Sequence, residues 1–522
     1  MKRRSFLRHA MHAAAVPGVF SSLGFAMPGK RSMEYFLRKA AESDRVLVMI
    51  FLDGGNDGLN TVVPLNRMSE LNSVRSRVVL NENEILPLAQ SEVGLHPVMG
   101  DLKALYDENK FQIIQNVGYD NPDFSHFRST DIWMSGSDAN QVVGSGWMGR
   151  HLENTFPGYP EAFPSADMED PLAVEIGYGS SLLFQGASAA MSYTLQNAEE
   201  FYELVNNVEQ AAPDTPAGDK LKFIRLIAKQ SQQYGQRIVD VASKVSAHEL
   251  YPGDPGHENR NSQLGGQLKV VSKLIAGGSR TPVYMVRIGG FDTHDAQVLD
   301  NHSEGEHAIL LKDLNDSIAS FMKDLEFHGV ADKVLGMTFS EFGRTILSNA
   351  SNGTDHGTAA PMFFFGNAVR GGVTGRNPVI DRFMSYEDNL PHEFEFRQLY
   401  NSVLDQWFGI EAESRNAVLF GDYESVEIIG DPAITLSVRS EFDLSVFPNP
   451  MNGQSTIRYE GDGKPVQLAL LDLNGRVVQN IFNGVSTPGM NSYRWDTSTI
   501  PNGRYFVLLR SDSGRQVFSV MK

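Results

Sequence analysis

The sequence predicts a large α/β domain on a mostly parallel sheet with helices on both faces, followed by a small antiparallel β-sandwich. Two patterns carry this expectation. Up to about residue 430, short uninterrupted apolar runs alternate with longer segments of helical periodicity, as expected for doubly covered strands joined by crossover helices. Beyond residue 440 the helical pattern stops, and short alternating runs follow one another closely, as in a sandwich of hairpins.

The first run, 45–52, is wholly apolar after Arg45 and closes in Asp53-Gly-Gly-Asn-Asp-Gly58. A buried parallel strand ending in a glycine-rich turn has this form. Runs at 111–117, 281–288, 333–339 and 361–365 repeat it, and helical patterns fall at 97–109, 129–134, 220–245 and 308–327. Residues 211–218 and 251–256 read as turn-rich surface loops, and the acidic stretch 198–209 as a solvated helix face. In the last segment, strands are expected at 455–459, 466–472, 476–481, 491–495, 504–510 and 516–521, with Asn474-Gly475 and Asn502-Gly503 as hairpin turns.

Composition narrows the function. A net charge of −18 over 522 residues, with acidic groups along the whole chain, argues against nonspecific nucleic-acid binding, which would need a basic face. Cysteine is absent, so any metal must rest on histidine, carboxylate, hydroxyl or carbonyl groups. A cysteine-derived nucleophile is excluded with it. At the N-terminus, Arg3-Arg4-Ser5-Phe6-Leu7 precedes a moderately apolar run, which reads as a twin-arginine (Tat) export signal. No second apolar run reaches the ~18 residues that span a bilayer, so no transmembrane segment is expected in the mature protein.

Four polar clusters sit at expected strand ends: Asp53 to Asp57, Ser125-His126 opening a helix, Asp292-Thr-His294, and Ser340-Glu341 with Asp355-His356. Carboxylates and imidazoles gathered from several strand C-termini suit a divalent metal centre. The histidines favour zinc or manganese, with calcium as the remaining candidate. His307 keeps helical spacing with Leu310, Leu311 and Leu314, which marks it as a packed residue rather than a ligand. Arg128 and Arg344 could hold an oxyanion or close buried ion pairs.

The motifs Phe51-Leu-Asp-Gly-Gly-Asn-Asp-Gly58, Ser125-His-Phe127, Gly146-Trp-Met-Gly-Arg150, Gly290-Phe-Asp-Thr-His294, Ser340-Glu-Phe-Gly-Arg344 and Thr354-Asp-His-Gly357 resemble, in order, the domain-of-unknown-function 1501 family. That family is sulfatase-like and belongs to the alkaline-phosphatase-like superfamily. The resemblance implies an alkaline-phosphatase-like three-layer α/β/α sandwich and a metal-dependent hydrolase of phosphate or sulfate esters. Its substrate would be a small-molecule or glycan ester. The implied metal ligands are Asp53, Asp292, His294, Glu341 and His356, for one or two ions. Phe342 stands where the superfamily has a histidine, which puts the second ion in doubt. The implied catalytic residues are Ser125 and His126 at a helix start, with Ser129 and Thr130 as further hydroxyls. The alternative is a non-catalytic surface binding protein on a decayed site.

At the C-terminus, Phe447-Pro-Asn-Pro450, Asp472-Leu-Asn-Gly-Arg476, Trp495-Asp496, Ile500-Pro-Asn-Gly-Arg-Tyr-Phe506 and Lys522 resemble the type IX secretion sorting domain. The expected organisation is a signal and leader at 1–40, the large domain at 41–430, a linker at 431–441 and the sorting domain at 442–522. The protein would use the Tat and type IX machineries to pass through the periplasm to the cell surface or medium.

Overall fold

The computed structural model describes residues 44–522 apart from 167, 178, 188, 196–215, 386–387, 431–444, 462, 472–476, 502 and 512–513. The export signal and leader, the linker, the 198–209 face, most of the 211–218 loop and the Asn474-Gly475 turn lie outside the described residues. The chain divides into two units, one at 42–436 and one containing 437–522.

The strands of the first unit's central sheet are β1 (Val46–Asp53), β2 (Phe111–Gly118), β3 (Ala173–Ile176), β4 (Ser192–Leu195), β5 (Val283–Gly289) and β6 (Val334–Phe339). After a hairpin of β7 (Gly343–Ser348) and β8 (Thr354–Gly357) come β9 (Ala360–Phe365), β10 (Gly372–Thr374) and β11 (Phe394–Glu395). The order across the sheet is β10-β2-β9-β6-β1-β5-β3-β4, and β11 also pairs with β2. Every pairing is parallel except those of β9, which runs antiparallel to both β2 and β6. The run at 361–365 reads as a parallel strand in the sequence. It reverses because only the β7–β8 hairpin links it to β6, and a parallel partner would need a full crossover.

β1 lies at the centre and shows how the sheet is covered. Val46, Val48, Ile50 and Leu52 pack on one face with helices α5 (Gly265–Ala276) and α6 (Glu306–Phe327). Leu47, Met49 and Phe51 pack on the other with α2 (His126–Ser135), α3 (Trp147–Thr155), α7 (Phe396–Ser402) and α8 (Ala412–Leu419). Helices α1 (Gly100–Asp107) and α4 (Pro216–Ala242) complete the first layer. Alternate side chains of a strand point to opposite faces, so an all-apolar strand gives a three-layer α/β/α sandwich.

The second unit holds two antiparallel sheets. One orders Ser445–Asn452, Gln454–Gly461 and Gly489–Asp496; the other orders Val477–Val485, Pro465–Leu471, Arg504–Ser511 and Gly514–Met521. Ile457, Leu468, Leu470, Trp495, Val507 and Leu509 share one buried core. The strand added to the six expected is Ser445–Asn452, whose register breaks between Phe447 and Asn452. The prolines at 448 and 450 hid it, since proline argues against a strand except at an edge or bulge.

Three histidines are buried in the first unit. Burial depresses the pKa of His96 to about 3 and those of His151 and His307 to about 4, the charge of His307 adding to the effect on His96. All three are neutral, folded or unfolded, above about pH 6.5. Below that only the unfolded chain takes up their protons, so stability falls as pH drops from about 6.5 towards 4. The loss is up to about 1.4 kcal/mol per pH unit for each histidine. Urea midpoints at pH 7.5, 6 and 5 are expected to decline, and equal midpoints would contradict these depressed values.

Candidate metal centre

The loops after β1, β2, β5 and β6 leave the sheet at the C-terminal ends of parallel strands, where ligand sites of such sheets form. After β5 the chain passes through Gly290 and Phe291 to Asp292 and His294; after β2 it reaches α2, whose first residue is His126. The β7–β8 hairpin brings in Asp355 and His356. Three of these side chains, His126, Asp292 and His356, place one ligand atom each within 4.8 Å of one another. His294 adjoins them, its Nε2 lying 2.9 Å from His356 Nε2 and 3.1 Å from Asp292 Oδ1.

Each imidazole is held through its other nitrogen. His356 Nδ1 donates to the carbonyl oxygen of Phe124 at 2.7 Å, His294 Nδ1 to Asp355 Oδ1 at 2.8 Å, and His126 Nδ1 to Glu341 Oε1 at 2.9 Å. An acceptor at Nδ1 fixes the proton there and leaves the Nε2 lone pair for a metal. Those three Nε2 atoms all turn towards Asp292, with His126 at 3.3 Å from Oδ2 and His356 at 3.0 Å from Oδ1. Lone pairs facing a carboxylate at such distances repel unless a positive charge sits among them. The donor set therefore fits a divalent cation.

The electrostatics agree. Burial alone would raise the pKa of Asp292, but the hydrogen bond and charge of Arg344, with His356 and His294 beside it, outweigh it and hold the value at about 2. The hydrogen bond to Glu341 raises the pKa of His126 against the opposing effect of burial. Burial lowers that of His356.

Residues 44–415 match the family described as "Protein of unknown function (DUF1501)". The chain belongs to this DUF1501 family. Residues 445–521 match the secretion system C-terminal sorting domain, so this DUF1501 protein is exported to the cell surface or medium. No curated protein matches it. Among solved structures it is similar to an alkaline phosphatase superfamily protein from Vibrio parahaemolyticus, at 7% identity and a TM-score of 0.33 over 94% of this chain and 88% of that one. It is similar to a phosphonate monoester hydrolase from Silicibacter pomeroyi, at 9% identity and 0.33 over 91% and 88%. A sulfatase from Pseudoalteromonas shares 10% identity at 0.31 over 90% and 89%.

The structure places the other candidate residues of this DUF1501 chain as follows. Asp53 is ion-paired with Arg287, whose Nε lies 3.0 Å from its Oδ2, and is outside the His126–Asp292–His356 group. Glu341 is fully buried, accepts the Gly54 amide at 2.9 and 3.2 Å, and stands behind His126. Ser125 is the exposed N-cap of α2, and its hydroxyl makes no capping bond. Ser129 is buried with its hydroxyl 3.0 Å from that of Tyr119. Arg344 is buried and spends its donors on the carbonyls of Gly54, Gly55, Phe291 and Thr354 and on Asp292. Arg128 donates to the carbonyls of Ala139 and Gln141. His307 is buried, its Nε2 3.0 Å from Asn56 Oδ1. Asp355 belongs to the fourth cluster of the sequence, but its role as the partner of His294 was not legible there, because the two are 61 positions apart.

Gly54 shows how tightly the loops are fitted. Its φ is +123°, and a Cβ there would lie 2.3 Å from the Asp292 amide nitrogen. Gly54→Ala is expected to cost roughly 2–4 kcal/mol from strain and overpacking and to displace the Asp292 loop. Chemical denaturation and metal content would both report it.

No helix among the described residues is long and apolar enough to cross a membrane.

Proposed function

We propose that this protein is an exported hydrolase of phosphate or sulfate esters, working at a single divalent metal centre held by His126, Asp292, His356 and His294. The observation that carries this reading is the convergence of three Nδ1-anchored imidazoles on one carboxylate. Three nitrogens and one oxygen suit zinc, and manganese is the next candidate. A bound ion of this kind supplies Lewis acidity, polarising the ester and lowering the pKa of a hydroxyl or water.

The chain's own groups support the rest. Asp292, already ionised, offsets the cation. Glu341, Asp355 and the Phe124 carbonyl keep each Nε2 free of a proton. Ser125, next to His126 at the positive end of α2, is the proposed nucleophile, since the helix N-terminus favours its alkoxide. One ion rather than two is favoured by Phe342. Its buried ring lies 4.5 Å from that of His356 and 4.9 Å from that of His126, and it offers no ligand.

Protein purified without chelator is expected to carry one equivalent of zinc or manganese and to hydrolyse members of a panel of aryl phosphates and sulfates. Metal-free protein that stays inactive after reconstitution would overturn the reading. One bound ion with no turnover would favour a surface binding protein.

For the route of export we propose the Tat pathway from Arg3-Arg4, which carries folded proteins and so permits metal loading first. Type IX export explains the tail. Deleting 445–522 is expected to leave the protein in the periplasm, read by cell fractionation and immunoblotting; normal surface delivery of the truncated chain would contradict this role.

A further inference from the structure

We infer that Gln297 is a positioning residue that sets the geometry of the metal centre by tying its two loops to a buried ion pair beneath them. The inference rests on the metal-centre reading above.

Gln297 is fully buried, and both ends of its amide are used. Its Oε1 accepts the hydroxyl of Thr354 at 2.6 Å and that of Thr293 at 3.2 Å, while its Nε2 donates to Asp57 Oδ2 at 2.5 Å. Thr293 lies between Asp292 and His294, and Thr354 opens the strand that carries Asp355 and His356. The two loops also touch directly, the Thr354 amide donating to the Thr293 carbonyl at 3.2 Å. Asp57 is in turn paired with Arg75, and both are buried.

This amide thus joins the direct backbone bond and Arg344 in setting the spacing between the segment bearing Asp292 and His294 and the segment bearing His356. No other side-chain type of this size offers an acceptor for two hydroxyls and a donor for a carboxylate together. Glutamate would face Asp57 with like charge. Methionine would fill the space but leave both hydroxyls and one Asp57 oxygen without this partner, so the loops would keep only the Thr354–Thr293 backbone bond and the bridging bonds of Arg344, and their spacing could shift. Supporting contacts behind metal ligands tune affinity by 10- to 100-fold, because ligand atoms must meet the ion within a few tenths of an ångström.

Gln297→Met is expected to raise the zinc dissociation constant about 10- to 100-fold, measured by chelator competition on folded protein. Thr354→Val, which removes one of the two hydroxyl bonds, is expected to give a smaller rise and serves if Gln297→Met does not fold. Tyr251→Phe is the stability control. It removes a buried bond to Asp324, a residue about 27 Å along α6 from the end near the site. It is expected to lower stability and leave the zinc constant unchanged. Wild-type zinc binding with unchanged constants in both the Gln297 and Thr354 variants would overturn this inference and spare the metal centre. A wild-type chain that binds no zinc would remove the metal centre and this inference together.

Discussion

Replacing Asp292 by alanine is expected to empty the metal centre and lower ester hydrolysis by at least about 1,000-fold while the domain stays folded. The size follows from where its carboxylate stands. His294 and His356 both approach Oδ1, and His126 approaches Oδ2, so one side chain is the common neighbour of all three imidazoles. Without it three neutral nitrogens remain, and the ion loses the only carboxylate of its donor set. The fold should tolerate the change because Asp292 is partly exposed, and the buried Arg344 keeps its four carbonyl partners. Metal content read beside a denaturation curve separates the two effects. Retained zinc with full activity would show that the centre does not depend on this carboxylate.

Asp292→Asn is the finer probe. The amide keeps the shape and one oxygen but loses the charge that His294, His356 and Arg344 surround. A drop in affinity smaller than that of the alanine variant would assign the difference to Coulomb attraction rather than to the loss of a ligand atom.

Much of the sheet was legible because a strand buried on both faces is largely apolar; β1 is apolar from Val46 to Leu52, and β5 and β6 are interrupted only by Arg287 and Thr338, while β2 also carries the buried Gln112 and Gln115. The strands of two to four residues, β3, β4, β10 and β11, carry too few side chains to show a period. Direction was not legible either, since β9 is equally buried whichever way it runs. At the site, the sequence showed which segments end at the sheet edge but not which side chains turn inward. Ser125 and His126 are adjacent, yet only His126 joins the group with Asp292 and His356. Asp53 occupies a strand end as expected and is claimed by a neighbour that no local pattern announces. Its register partner on β5 is Gly289, and Arg287, two positions earlier, lies on the same face and reaches its carboxylate.

The second large effect is expected at Asp57, which closes the first polar cluster, and at Arg75, which the sequence reading did not single out. Both are essentially inaccessible to solvent, and Asp57 also accepts the Leu59 amide at 3.2 Å and the Gln297 amide. A buried pair is not in itself strongly stabilising, but removing one partner strands the other charge, at about 3–5 kcal/mol. Arg75→Met and Asp57→Asn should each lose about that much. The double variant should lose clearly less than their sum, because neither charge is then left alone. The pH dependence distinguishes this pair from the buried histidines. Burial would raise the pKa of Asp57, but the charge and hydrogen bond of Arg75 prevail and lower it. Its contribution is thus complete above the unfolded value near 3.9 and is lost as pH falls below that. In Arg75→Met this acid limb should disappear, while the decline between about pH 6.5 and 4 remains. Urea denaturation of the four proteins from pH 7.5 to 3 measures both limbs, and additive losses in the double variant would show that the two charges do not compensate each other.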